Sequence, residues 1–279
     1  MTNRWLTGVA AVALTVAGAV AAQAADLPTK KAPPAPVYIP PPFTWTGFYI
    51  GVNAGGVWGT GNTQSTLYSY GVPWLGSFYN GSLGSGGSGF IGGGQAGYNW
   101  QTGAMVLGVE TDFDGTSLSR SVSGVGPTFA GLTGNWAAWN GDSLLYNGSA
   151  RMSWLGTTRA RVGFVATPDN RLMIYGTGGL AYGGGEANLS VYDYNSNVAW
   201  YGSKSDTRVG WTIGAGAEYA ITNNITIKGE YLYYNLGTTN ETAVPTILTP
   251  AATIFNGSYA TAKVTYEGSI FRAGVNYKF

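Results

Sequence analysis

Nine charged residues fall on the polar side of stretches in which polar and apolar residues alternate. They are Glu110, Asp112 and Asp114, then Arg159 and Arg161, then Glu218, Lys228, Glu230 and Arg272. Neighbouring carboxylates such as Asp112 and Asp114 are residue types that perform general acid–base work. At a spacing of two on an extended strand they also share one face, where arginines on the next strand can reach them. The rest of the inventory weighs against catalysis. The 279-residue chain has no histidine and no cysteine. That excludes zinc sites of the usual kind, Ser-His-Asp and Cys-His triads, and thiol nucleophiles. The nine residues therefore read as an ion-pair network in which Glu110 and Asp112 meet Arg159 and Arg161. A gated ion path is the functional alternative. No catalytic, cofactor or metal site is expected.

Composition says what kind of protein would hold such a network. Only 10% of residues are charged, and there are 45 glycines, 19 tyrosines and 10 tryptophans. A soluble domain carries roughly 25% charged residues. No internal apolar run is long enough for a transmembrane helix. Few charges, many aromatics and no helical span point to a transmembrane β-barrel, with a Gly-rich soluble β-sandwich as the competing class. Formal net charge is +1 and the basic residues are scattered, so no nucleic-acid surface is expected.

Residues 1–24 read as a secretory signal. Arg4 supplies the positive start, Leu6 to Val20 the apolar core, and Ala22-Gln23-Ala24 a small-x-small cleavage site. Residues 25–42 carry prolines at 28, 33, 34, 36, 40, 41 and 42 and read as an extended periplasmic tether. Residues 43–279 hold eight stretches with a period of two: Thr44–Gly55, Gly89–Trp100, Ala104–Asp114, Ser153–Val165, Leu172–Tyr182, Arg208–Ala220, Ile225–Tyr234, and a last one from near Thr261 to Phe279. Connections after the second, fourth and sixth are short turns. The others run to tens of residues. That alternation is the pattern of an antiparallel up-and-down outer-membrane barrel with short periplasmic turns and long extracellular loops. Aromatics such as Trp74, Phe78, Trp136, Trp139 and Trp200 suggest that the long connections extend the strands beyond the membrane. A ten-strand count stays open, because Ser65–Val72 or Asn197–Gly202 could pair.

Several of these stretches resemble a known family. Trp45-Thr46-Gly47-Phe48-Tyr49-Ile50-Gly51-Val52-Asn53-Ala54-Gly55-Gly56 looks like the first strand of the Brucella/rhizobial-type small outer-membrane proteins, within the OmpA-like barrel superfamily, a group often called a porin family. Gly108–Phe113, Thr158–Gly163, Gly214–Tyr219 and Gly274–Phe279 are similar to its later strands, and Ala25-Asp26-Leu27-Pro28 to its mature start. The resemblance implies an eight-stranded barrel, an outer-membrane location in a Gram-negative envelope, and a structural or surface-antigen role. Some members are described as porins or haemin binders.

In such a barrel the nine charges face the lumen, which eight strands leave just wide enough for side chains to fill. A packed plug is the expectation. Val275, Tyr277 and Phe279, apolar at alternate positions up to the terminus, read as the signal taken by the barrel-assembly machinery, since an apolar edge strand can pair with an acceptor sheet. Trp45, Trp100, Trp154, Tyr219, Tyr233 and Tyr277 read as interfacial belts. The GxGxxG match at 84–89 lacks the preceding strand and following helix of a dinucleotide site. The Asn-Gly-Ser matches at 80, 147 and 256 carry no glycan meaning in a bacterial barrel. The expected partners are outer-membrane lipids, lipopolysaccharide and the assembly machinery, with oligomeric state open. The expected function is structural and surface-exposed. A narrow-pore porin is the first alternative and haemin binding by loop tyrosines the second.

Overall fold

The computed structural model describes residues 43–59, 63–69, 72–73, 87–126, 141, 143–194, 198–247 and 258–279. Ala22 and Ala24, the Pro-rich segment, and Trp74, Phe78, Trp136 and Trp139 lie outside these residues. Among the described residues the strands are β1 (Gly47–Gly59), β2 (Thr63–Ser69), β3 (Val72–Pro73), β4 (Ser88–Thr102), β5 (Met105–Thr116), β6 (Ser119–Val125), β7 (Leu144–Val165), β8 (Leu172–Asp193), β9 (Val198–Ala220), β10 (Ile225–Ile247) and β11 (Ser258–Lys278).

Eight of them close a ring in the order β1-β4-β5-β7-β8-β9-β10-β11, all antiparallel. Closure comes from β1, which pairs with β4 on one edge and β11 on the other, with Val52 opposite both Gly94 and Val275. The Phe279 N–H donates to the Phe48 carbonyl at 3.0 Å, carrying the seam to the last residue. The remaining strands extend the wall. Above β1, β2 continues the pairing with β11. Above β5, β6 continues the pairing with β7. Neither adds to the ring, which holds eight strands among the described residues. Residues 198–202 are the start of β9 rather than a separate strand.

A tilted strand of about 9–11 residues crosses a bilayer. Strands β7 to β10 have 22 or 23 residues and β11 has 21. About half of each therefore stands beyond the hydrocarbon, on the side of the long connections. At the other end the turns are short. Gly103 takes φ +61° between Thr102 and Met105, which are paired, as a two-residue hairpin loop requires. In the 166–171 turn the Leu172 N–H donates to the Thr167 hydroxyl at 3.1 Å, and Asn170 adopts φ 59°. Hydrogen bonds from the Thr167 side chain and the Arg171 N–H hold the exposed Asp169 carboxyl below its usual range.

Two strands change phase where they leave the membrane. In β7 the register slips between Met152 and Trp154, leaving Ser153 as a bulge. Below it odd-numbered residues face inward, and above it even-numbered ones do. In β10 the slip falls between Asn235 and Thr238, around Gly237 at φ +80°, a conformation that suits glycine. Each bulge keeps apolar residues inside on both of its sides.

Candidate functional site

The inward positions of the lower strands bring all nine charged residues into one cluster. Arg159 on β7 donates to Glu110 at 2.6 Å and Asp112 at 2.9 Å, both on β5, and reaches across the lumen to Glu230 on β10 at 3.0 Å. Arg161 joins Glu110 at 3.2 Å to Glu218 on β9 at 2.6 Å. Lys228 lies 2.8 Å from Glu110 and 3.1 Å from Glu230. Arg272 on β11 bonds Asp112 at 2.6 Å, Glu230 at 2.8 Å, and Asp114. Every cation bridges at least two carboxylates, and all four join strands that are not neighbours in the ring.

Uncharged side chains complete the cluster, and sequence reasoning did not single them out. The Tyr49 hydroxyl donates to Glu110 at 2.8 Å and accepts from Arg161 at 2.7 Å. The Arg161 guanidinium lies 3.9 Å from the centroid of the Tyr175 ring, a cation–π distance. Thr157 donates to Asp112 at 2.7 Å, Thr226 and Asn276 to Glu218 at 2.6 and 2.8 Å, and Asn53 to Asp114 at 3.0 Å. The spacing of two that placed the charges also marks Asn53, Gln95, Thr157 and Asn276 as inward, but polar uncharged residues on a strand face are too common to stand out. Glycine makes the room: Gly97 lies under the Tyr49 ring, and a Cβ at Gly216 would meet the Tyr175 hydroxyl at 2.6 Å.

Buried charges are tolerated only when paired and hydrogen-bonded, because desolvation costs several kcal/mol per ion. These nine are between 1% and 4% exposed. Asp112 and Asp114 are both held by Arg272. Among the described residues no cluster of three or more acidic residues is arranged to hold a metal ion.

Apolar layers cover the charged layer at both ends. Towards the short turns lie Phe43, Trp45, Val106, Val165, Met173 and Ala220. Towards the long connections lie Val57, Ile91, Leu155, Leu232, Tyr266 and Ile270, with further residues of one continuous cluster. The first layer carries a correction. Trp45, expected in an interfacial belt, is 1% exposed and sits inside the periplasmic mouth. Its indole N–H donates to the Asn170 carbonyl at 2.9 Å, and its backbone N–H to the Gln101 side chain at 2.8 Å. Phe43 and Trp45 precede β1 but share the odd-numbered inward phase of Tyr49 and Asn53, so the alternation of the strand carries them into the lumen. Phe43 packs edge-on against Trp45 at 4.9 Å.

The outer surface has the opposite character. Phe271 is 59% exposed where its neighbour Arg272 is 1% exposed. Val275, Tyr277 and Phe279 all face outward, with Phe279 5.1 Å from Tyr277 and 5.8 Å from Phe48 between ring centroids. Trp100 and Tyr219 face outward near the short turns. Trp154 stacks on Phe113 at 5.3 Å, and Tyr233 meets Trp211 at 5.5 Å, both pairs towards the long connections. Of the GxGxxG match, residues 88 and 89 open β4. Asn147 lies in β7, and Trp200 is buried in β9.

A family model for the outer membrane protein beta-barrel domain matches residues 10–279. The 31 kDa outer-membrane immunogenic protein of Brucella melitensis biotype 1 is 41% identical over 263 residues, covering 94% of this chain and 95% of that one. The 22 kDa outer membrane protein of Rhizobium leguminosarum bv. viciae is 32% identical over 196 residues, covering 70% and 66%. Among solved structures, the outer membrane protein OprG from Pseudomonas aeruginosa aligns with a TM-score of 0.44 at 12% identity, over 85% of this chain and 98% of that one.

Proposed function

The chain belongs to the outer membrane protein beta-barrel family, and on that footing we propose that it is a sealed structural barrel of the outer membrane. The layering of the lumen carries this reading. A charged middle, bonded across the barrel, lies between two apolar clusters. A hydrated ion entering from either mouth meets apolar side chains first, where losing its water costs several kcal/mol. The charges it would then meet are already paired with one another.

On this reading the network is a brace. Arg159 and Arg272 each tie β10 to β5 across the lumen, so the wall resists flattening. Lipid and lipopolysaccharide surround the apolar outer band, and the strand extensions stand at the cell surface. The word immunogenic in the name of the Brucella relative fits a surface-exposed role. Val275, Tyr277 and Phe279 would serve during assembly, when the seam between β11 and β1 is still open. Liposome swelling tests the sealed reading. Vesicles carrying the folded protein should not swell faster than empty ones in small sugars or amino acids. Solute-dependent swelling would establish the narrow-pore alternative instead.

A further inference from the structure

Above the membrane, the outward face of β6, β7, β8 and β9 carries an unusual set of side chains. Ser121, Ser149, Asn188 and Ser203 are cross-strand partners in one row. Ser123, Asn147, Ser190 and Tyr201 form the next. These residues line a shallow trough of about 790 Å³. Solvent-facing positions on a strand usually hold charged or β-branched residues, which add solubility or β propensity. Here both rows are neutral hydroxyls and amides with one phenol. The side chains of the two rows make no hydrogen bonds with one another or with the rest of the described residues, so their donors and acceptors are uncommitted.

We propose that this patch binds the sugar core of lipopolysaccharide in the surrounding leaflet. The first ground is position. The patch continues, strand by strand, the lipid-facing surface that bears Phe113, Trp154 and Trp211. Asn147 and Ser149 lie roughly 15–25 Å along β7 beyond Trp154 at about 3.4 Å per residue, at the level of the headgroup sugars rather than the acyl chains. The second ground is chemistry. Sugar hydroxyls are matched by side chains that both donate and accept, which serine and asparagine do, and the 55%-exposed Tyr201 offers a flat ring to a sugar's C–H face. Phosphate recognition would call for cations, but Arg151 at the membrane edge of the patch stands opposite Glu186. A second copy of the chain would call for an apolar centre, which the two rows lack.

Two lipids separate the sugar from its anchor: lipopolysaccharide with a complete core, and lipid A with no core sugars. Hydroxyl-radical footprinting of the wild-type protein should show Tyr201 protected in the first and open in the second. Thermal unfolding, followed by heat-modifiable gel migration, should shift upward in the core-bearing lipid relative to lipid A. The triple variant N147A/N188A/Y201A should fold in detergent like wild type and lose that core-specific shift. Equal Tyr201 oxidation in the two lipids would overturn the proposal without recourse to any variant. So would a core-specific shift that survives in the triple variant, or protection that appears in detergent alone as the protein self-associates.

Discussion

The lower and upper halves of β7 to β11 are built from the same strands with inverted faces. In the membrane half the charges point inward and Phe271, Trp211 and Val162 point outward. In the extracellular half Leu144, Ala187, Val191 and Trp200 point inward, and serine and asparagine outward. Backbone pairing runs through both without interruption in β8. The fold is thus indifferent to which face is apolar, and the solvent outside each half decides. Lipid leaves charges only the lumen, where each must find an opposite charge. Facing water and sugar, most apolar groups turn to the interior, while Val125, Leu145 and Val244 stay exposed outside.

This contrast predicts unequal costs for similar changes. The largest falls in the charged layer. Arg159→Ala leaves Glu110, Asp112 and Glu230 short of a partner, and unfolding of the refolded barrel in urea should show a loss of about 3–5 kcal/mol. Next comes a charge forced onto the lipid face. Phe271→Arg should cost roughly 2–4 kcal/mol in lipid vesicles. A smaller effect is expected where one hydroxyl is removed. Tyr49→Phe deletes one hydroxyl shared by Glu110 and Arg161, both of which keep other partners, and should cost about 1.5–3 kcal/mol in the same urea unfolding. The smallest is the counterpart of Phe271→Arg in the upper half. Ser149→Lys, measured in vesicles without lipopolysaccharide, should change stability by no more than about 0.5 kcal/mol, because there its outward face meets water. Equal costs for Phe271→Arg and Ser149→Lys would remove the distinction between the halves.

The lower half was legible in the sequence because its rule is simple. A period of two set the nine charges on one face and the aromatics on the other, and the lengths of the connections chose lipid for the aromatic side. The upper half was harder to read for physical reasons. At Ser153 in β7 and Gly237 in β10 a bulge shifts the phase, so alternation stops at the points where the fourth stretch seemed to begin and the seventh to end. In β8 the run Gly183-Gly184-Gly185 has no side chains to alternate, yet its backbone stays paired. The ion pairs between neighbouring strands β5 and β7 followed from spacing. The bonds from Arg159 and Lys228 across the lumen did not, because they depend on which strands stand opposite after closure. Trp45 misled for a different reason. An aromatic at a strand end resembles a belt residue, although Trp45 shares the odd-numbered phase of the inward-facing Tyr49 and Asn53.

The central claim, that the lumen is closed, is tested most directly by single-channel recording of the purified, folded protein in planar bilayers at high salt. The sealed barrel predicts a flat baseline with no discrete openings over the whole voltage range. Reproducible, stepwise currents that scale with salt concentration would contradict it and make the charged interior a path.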